Sequence, residues 1–189
     1  ISGGARLDYW RAFGGARVER DLATDSLTLA SSPADNDAWA PTARFGVRRA
    51  LGGPVSLRAA AYAGFRPPTL NELHRPFRVG NDVTEANAGL SPEKLGGADI
   101  AVEFESDSFA WSIGGFATRL EDAIVNVTLG AGPGTFPPGV FVPAGGAFRQ
   151  RQNAGEIDAY GLEADARGDL GALSWRVALN AVRARLGDL

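Results

Sequence analysis

Val55-Ser56-Leu57-Arg58-Ala59-Ala60-Ala61-Tyr62-Ala63-Gly64-Phe65 sorts its side chains by parity. Val55, Leu57, Ala59, Ala61, Ala63 and Phe65 are all apolar, and the residues between them are small, polar or charged. Successive side chains of a strand point to opposite faces, so this stretch predicts a strand with one apolar and one mixed face. The same period recurs in residues 1–10, 96–105, 160–167 and 173–181. Residues 43–51 follow it less well, because Arg49 falls among Ala43, Phe45, Val47 and Leu51. Phe109, Trp111 and Ile113 open a further strand whose phase slips at Gly114 and Gly115, where a bulge or glycine kink is expected.

The count is about seven strands, several of about nine to eleven residues, the length of a tilted transmembrane strand. Their connections alternate in length. Residues 51–54, 105–108 and 168–171 have tight-turn compositions, whereas residues 21–40, 66–92 and 121–155 form long connections. Outer-membrane barrels sort their loops this way, with short turns on the periplasmic rim and long loops outside. Tyr9, Trp10, Phe65, Phe109, Trp111, Tyr160 and Trp175 lie near strand ends, where interfacial girdles belong. The reading is an all-β chain: an antiparallel up-and-down meander of about seven strands, part of a larger transmembrane β-barrel. A soluble β-sandwich binding module, for instance a carbohydrate-binding one, gives the same alternation and stays open here. So does a small closed barrel of about eight strands.

Composition narrows the function. The 189 residues carry a net charge of -3, Lys94 is the only lysine, and cysteine and methionine are absent. There is no basic excess for nucleic acid, no disulfide and no thiolate chemistry. No apolar run approaches a membrane helix, so membrane contact falls to the strands. No secretory leader is visible, and the chain reads as an internal piece, a single partial barrel domain over residues 1–189. Nothing points to an enzyme or a cofactor. His74 is the only histidine and has no second histidine or cysteine to share a metal with. It sits in a long connection beside Glu72 and Arg75. The stretch Gly130-Ala131-Gly132-Pro133-Gly134 reads as a flexible loop. Glu163 and Asp165 are expected to meet Arg167 or Arg176 on the polar face.

Two segments frame the second long connection. It opens with Gly64-Phe65-Arg66-Pro67-Pro68-Thr69-Leu70-Asn71-Glu72-Leu73 and closes with Asn87-Ala88-Gly89-Leu90-Ser91-Pro92-Glu93. Pro67, Pro68 and Pro92 cannot donate ladder hydrogen bonds, so they end one strand and delay the next at the rim. Arg66 and Glu93 are then placed to pair and pin the loop base. The two segments resemble paired motifs of TonB-dependent outer-membrane receptors, G-F-R-A-P-T-L-x-E-L and N-P-x-L-K-P-E. Pro68, Ala88 and Ser91 depart from them. Arg6-Leu7-Asp8, Arg44-Phe45-Gly46, and Asn153 followed by Tyr160-Gly161-Leu162-Glu163 resemble other strands of that family in the same order.

The resemblance implies a segment of a closed barrel of about 22 strands with an N-terminal plug inside. It implies active uptake of a scarce nutrient such as a ferric siderophore or cobalamin. The implied partners are the TonB complex, which acts through a TonB box and a plug that this chain does not show, the nutrient ligand such as an iron chelate, and outer-membrane lipid. Pro67, Pro68, Asn87, Pro92, Glu93, Gly161 and Glu163 would then be structural. Arg66, Asn71, Glu72, His74, Arg149 and Arg151 are the candidates for ligand contact, since loop residues on a rigid scaffold often bind and arginines suit anions. For Arg149 and Arg151 the plainer alternatives are pairing with acidic groups of adjacent loops or with lipopolysaccharide phosphates.

Overall fold

The computed structural model describes residues 1–187. In chain order the elements are β1 (Ser2–Ala12), β2 (Arg17–Arg20), β3 (Leu27–Ser31), β4 (Asn36–Gly52), β5 (Val55–Arg66), α1 (Leu70–His74), β6 (Phe77–Val79), β7 (Asp82–Glu85), β8 (Glu93–Glu105), β9 (Phe109–Ala131), β10 (Gly134–Phe136), β11 (Val140–Val142), β12 (Ala147–Leu170) and β13 (Leu173–Leu186). Seven long strands pair in the order β1-β4-β5-β8-β9-β12-β13, each neighbour antiparallel. This is the expected meander, and the sheet is open.

Register places parity on two continuous faces. Directly opposed residues of an antiparallel pair share a face. Ala61 therefore sits beside Phe45 and Ala98, Ile113 beside Val102 and Ala164, and Leu179 beside Ala164. Ile113, Leu162 and Leu179 on this face are 58, 66 and 68 % exposed, with no second sheet above them. A sandwich buries that face, so the sandwich reading fails; the closed eight-stranded barrel fails because the sheet does not close. The other face is polar. Arg58 reaches Asp99 at 2.8 Å and Glu103 at 3.1 Å, and Arg176 reaches Asp165 at 2.8 Å. Arg167 turns instead to Glu105 at 3.4 Å, and Glu163 has no ion pair among the described residues. An apolar outer face and a polar lumen are what a membrane barrel wall requires.

Aromatic residues bound the apolar face at both heights. Phe104 stacks on Trp111 at 6.0 Å and Phe109 lies 5.9 Å from Trp175, all beside the short turns. Tyr9 and Trp39 lie 4.9 Å apart toward the long connections. Trp10 does not belong to this girdle: its register partner is Ala38, on the lumen face.

Three other expectations are corrected. The ladder between β8 and β9 runs through Gly114 and Gly115 without a break, so there is no bulge. The apparent slip arises because Phe116 points to the lumen, where its ring covers Gly161 of β12. Tyr62 covers Gly97 in the same way; a Cβ there would lie 2.6 Å from the ring. The strands are also longer than expected. β9 has 23 residues and β12 has 24, so the third long connection shrinks to residues 132–146. Above Ala117 and Tyr160 both faces of these strands are polar or mixed, as at Arg119, Asn126, Gln150 and Gln152, and alternation vanishes while the backbone ladder continues. The breaks lie here, at Phe148/Arg149 and between Asn153 and Ile157. The glycine-rich stretch is likewise no loose loop: it ends β9 and starts the β10–β11 hairpin.

Candidate functional site

The long connections meet in one knot at the top of β5, β8, β9 and β12. Pro67 follows the last residue of β5, and Pro92 precedes the first residue of β8, so the prolines mark the rim. Arg66 donates from Nε to Glu93 Oε2 at 2.5 Å and forks onto both oxygens of Glu72 at 3.0 and 3.1 Å. The other Glu93 oxygen accepts the Ile124 backbone N–H at 2.7 Å. One guanidinium thus ties β5 to α1 and β8, and Glu93 carries the tie to β9.

Thr69 starts α1 with a capping box. Its side chain accepts the Glu72 N–H, and Glu72 accepts the Thr69 N–H at 2.7 Å. Burial works against ionising Glu72. The Arg66 fork and the Thr69 donors outweigh it and hold the carboxyl at about 2, below its usual 4.5.

Arginines of β12 bind the rest of the loop. Arg149 pairs with Asp82 at 2.7 Å, and Asp82 also accepts the Ala147 N–H at 2.9 Å. The Ala147 N–H and then Arg149 keep Asp82 below the usual carboxylate range. Arg151 donates to the carbonyls of Asn71 at 2.5 Å and Arg75 at 3.0 Å, with its guanidinium over the Phe77 ring at 5.1 Å. Asn87 donates to the Arg151 carbonyl at 2.9 Å. β7 lies parallel on β12, Val83 opposite Phe148 and Glu85 opposite Gln150. Beneath it Val83, Val142 and Phe148 form a small core, and Phe136 stacks on Phe148 at 4.8 Å.

The structure therefore brings Arg66, Glu72, Glu93, Asn87, Arg149 and Arg151 into one network, with Pro68 and Pro92 buried beneath it. His74 stands apart, against Gly15 of the first connection. The Asn71 and His74 side chains make no hydrogen bond among the described residues. Gly161 and Glu163 lie lower on β12, facing the lumen.

Sequence reasoning missed four members of the knot as such. Asn153 bridges Ser91 and the Asp122 carbonyl, Asn36 donates to the carbonyls of Ala88 and Leu90, and Arg17 pairs with Glu85. Only Asn153 had a signal, its place in the strand motif. The others are single polar side chains, each reaching more than fifty residues along the chain.

A family model described as "TonB dependent receptor-like, beta-barrel" matches residues 1–187. The chain belongs to that family. Among solved structures, this receptor segment is similar to the FrpB iron transporter from Neisseria meningitidis, with 19% identity and TM-score 0.63 over 97% of this chain and 23% of that one. It is similar to the copper transporter OprC, with 19% identity and TM-score 0.67 over 97% and 26%. It is also similar to the Serratia marcescens hemophore receptor HasR, with 14% identity and TM-score 0.67 over 96% and 29%. At these identities the likeness shows the fold, and the segment spans about a quarter of each structure's length. No curated protein sequence matches it. Receptors of this family are outer-membrane proteins of Gram-negative bacteria, and the apolar face described above is the membrane face of the segment.

Proposed function

We propose that the segment forms wall and extracellular loops of a receptor for active, TonB-driven uptake of a scarce nutrient, such as a ferric siderophore or cobalamin. The family match over residues 1–187 carries this reading. It is supported by structural relatives described as iron and copper transporters and a hemophore receptor. TonB would act through a plug domain of the whole receptor. Within the segment, Arg66, Glu72, Arg149 and Arg151 have a positioning role: they fix the loop surface. Asn71 and His74, whose side chains are not engaged in the knot, are the contacts offered to ligand.

The test is growth of the source bacterium under iron limitation, with and without the intact receptor gene, on a panel of radiolabelled ferric chelates, heme, cobalamin and copper. Loss of TonB-dependent accumulation of one of them identifies the cargo. Unchanged accumulation of every member overturns nutrient uptake of this class.

A further inference from the structure

The first long connection carries a hairpin that touches the rest of the molecule in two places. β2 and β3 pair only with each other, as a two-stranded sheet apart from the wall. Two short strands are marginal by themselves, and Val18, Leu22 and Leu27 of this pair are exposed. Among the described residues, the one hydrogen-bonded link from residues 15–33 to anything beyond that stretch is Arg17 to Glu85 of β7. The other touch is steric. Half-buried His74 and Pro33 close on Gly15, where a Cβ would lie 3.0 Å from the imidazole Cε1 and 3.2 Å from the Pro33 ring.

The root of the hairpin is fixed. Asp35 accepts the Gly14 N–H at 3.2 Å and Arg11 at 2.6 Å, and Asn36 donates to the carbonyls of Ala88 and Leu90 at 2.9 and 2.7 Å. Gly14 has a φ of +65°, and a Cβ there would meet nothing within 4 Å, so the chain has freedom and room to turn at this point. The acid end of the ionic link is rigid as well: β7 lies on β12, and Val83 is part of the small core. Glu85 itself is 4 % exposed. One of its oxygens takes Arg17 and the Ala86 N–H at 3.1 Å, while Oε2 is buried with no partner among the described residues. Closing the hairpin thus makes one charge pair and keeps one carboxylate oxygen dry; opening it hydrates both oxygens. The unbonded oxygen offsets part of what the pair contributes, so the closed contact holds but is poised to release. A fixed root, a free glycine and a single ionic link are the parts of a hinge and its catch.

We propose that the β2–β3 hairpin is a lid held shut over His74 by Arg17 and Glu85, an autoinhibitory contact whose release uncovers the imidazole. That His74 then meets a nutrient rests on the function proposed above; the latch itself does not.

The experiment treats the intact receptor in detergent with diethyl pyrocarbonate and follows the peptide that holds His74, the only histidine of the segment, by mass spectrometry. Amide exchange of residues 15–33 is read in parallel. Arg17→Gln leaves Glu85 buried without its cation and is expected to raise the carbethoxylation rate of His74 by about tenfold or more, the weight of one charge-assisted hydrogen bond. Exchange in β2 and β3 should quicken with it, while the ladder of β9 and β12 keeps its protection. Glu85→Gln, which keeps the side-chain shape and loses the charge, is expected to raise the rate by less. Unchanged His74 reactivity in both variants overturns the latch. So does a rise matched by faster exchange along β9 and β12, which would make the pair a general support of the loops. No nutrient enters the measurement, so failure of the uptake assay and failure of the latch are told apart.

Discussion

The wall and the knot above it are stabilised in opposite ways. In the wall, each long strand lies in a continuous antiparallel ladder, and the large apolar side chains point outward. Backbone groups of the five inner strands are satisfied laterally on both edges, and the solvent that accepts the apolar face is lipid. In the knot, strands of three or four residues contribute little ladder. Order there comes from arginine and asparagine side chains bonded to carbonyls and carboxylates far away in the chain, over a core of a few residues. The wall is a periodic structure and the knot an aperiodic one.

The sharpest way to break this contrast is to put charge on the two faces of the wall. Ala164→Arg, near the middle of the membrane face, is expected to destabilise the intact receptor in vesicles by about 2–4 kcal/mol. Ser112→Arg, on the lumen face beside Glu103 and Asp165, is expected to change it by less than about 0.5 kcal/mol. Denaturant unfolding compares the two, and equal effects would mean the faces are misassigned.

Next in size is the ring over Gly97. Gly97→Ala forces a Cβ against Tyr62 and is expected to cost about 1–3 kcal/mol. In a Tyr62→Ala background the same change should be nearly neutral. A double-mutant cycle without coupling would remove the covering ring from the account.

A smaller and more local effect is expected in the knot. Arg66→Ala leaves Glu93 and Glu72 without their shared donor, a loss of about 2 kcal/mol read as about a 30-fold faster amide exchange in α1. The midpoint of global unfolding should not move, because the ladder does not pass through α1. A global shift would show that the knot also holds the wall.

The mildest probe is acid. Glu72 stabilises the folded loop as a carboxylate, so its contribution is complete above about 4.5 and is lost as pH falls toward about 2. Protection of the α1 amides should stay flat from neutral pH down to about 5 and decline below it. Glu72→Gln should flatten that decline, and a persistent decline would assign it to another acid.

The same contrast explains what was legible from sequence. Parity in residues 55–65 and 173–181 survives because one face meets lipid along the whole span, so the seven strands of the wall and its short turns could be read, apart from the phase at Gly114 and Gly115. Arg66 and Glu93 could be paired in advance because prolines bracket them at the rim. The upper halves of β9 and β12 could not be read, since water on both sides removes any reason to alternate. Arg17, Asn36 and Glu85 could not be joined, because a contact between distant loops leaves no period. Trp10 was misplaced because nearness to a strand end does not say which face a ring takes.

β7 also has a consequence for the barrel's outline. It holds the edge of β12 at residues 148–150, the same edge on which β13 has reached Ile157. A strand that climbs along β12 beyond Ile157 meets β7 within about 20 Å. Any neighbour climbing along β12 must turn away there, so a four-residue strand sets the ceiling of the rim at this point and closes the exposed backbone to foreign chains.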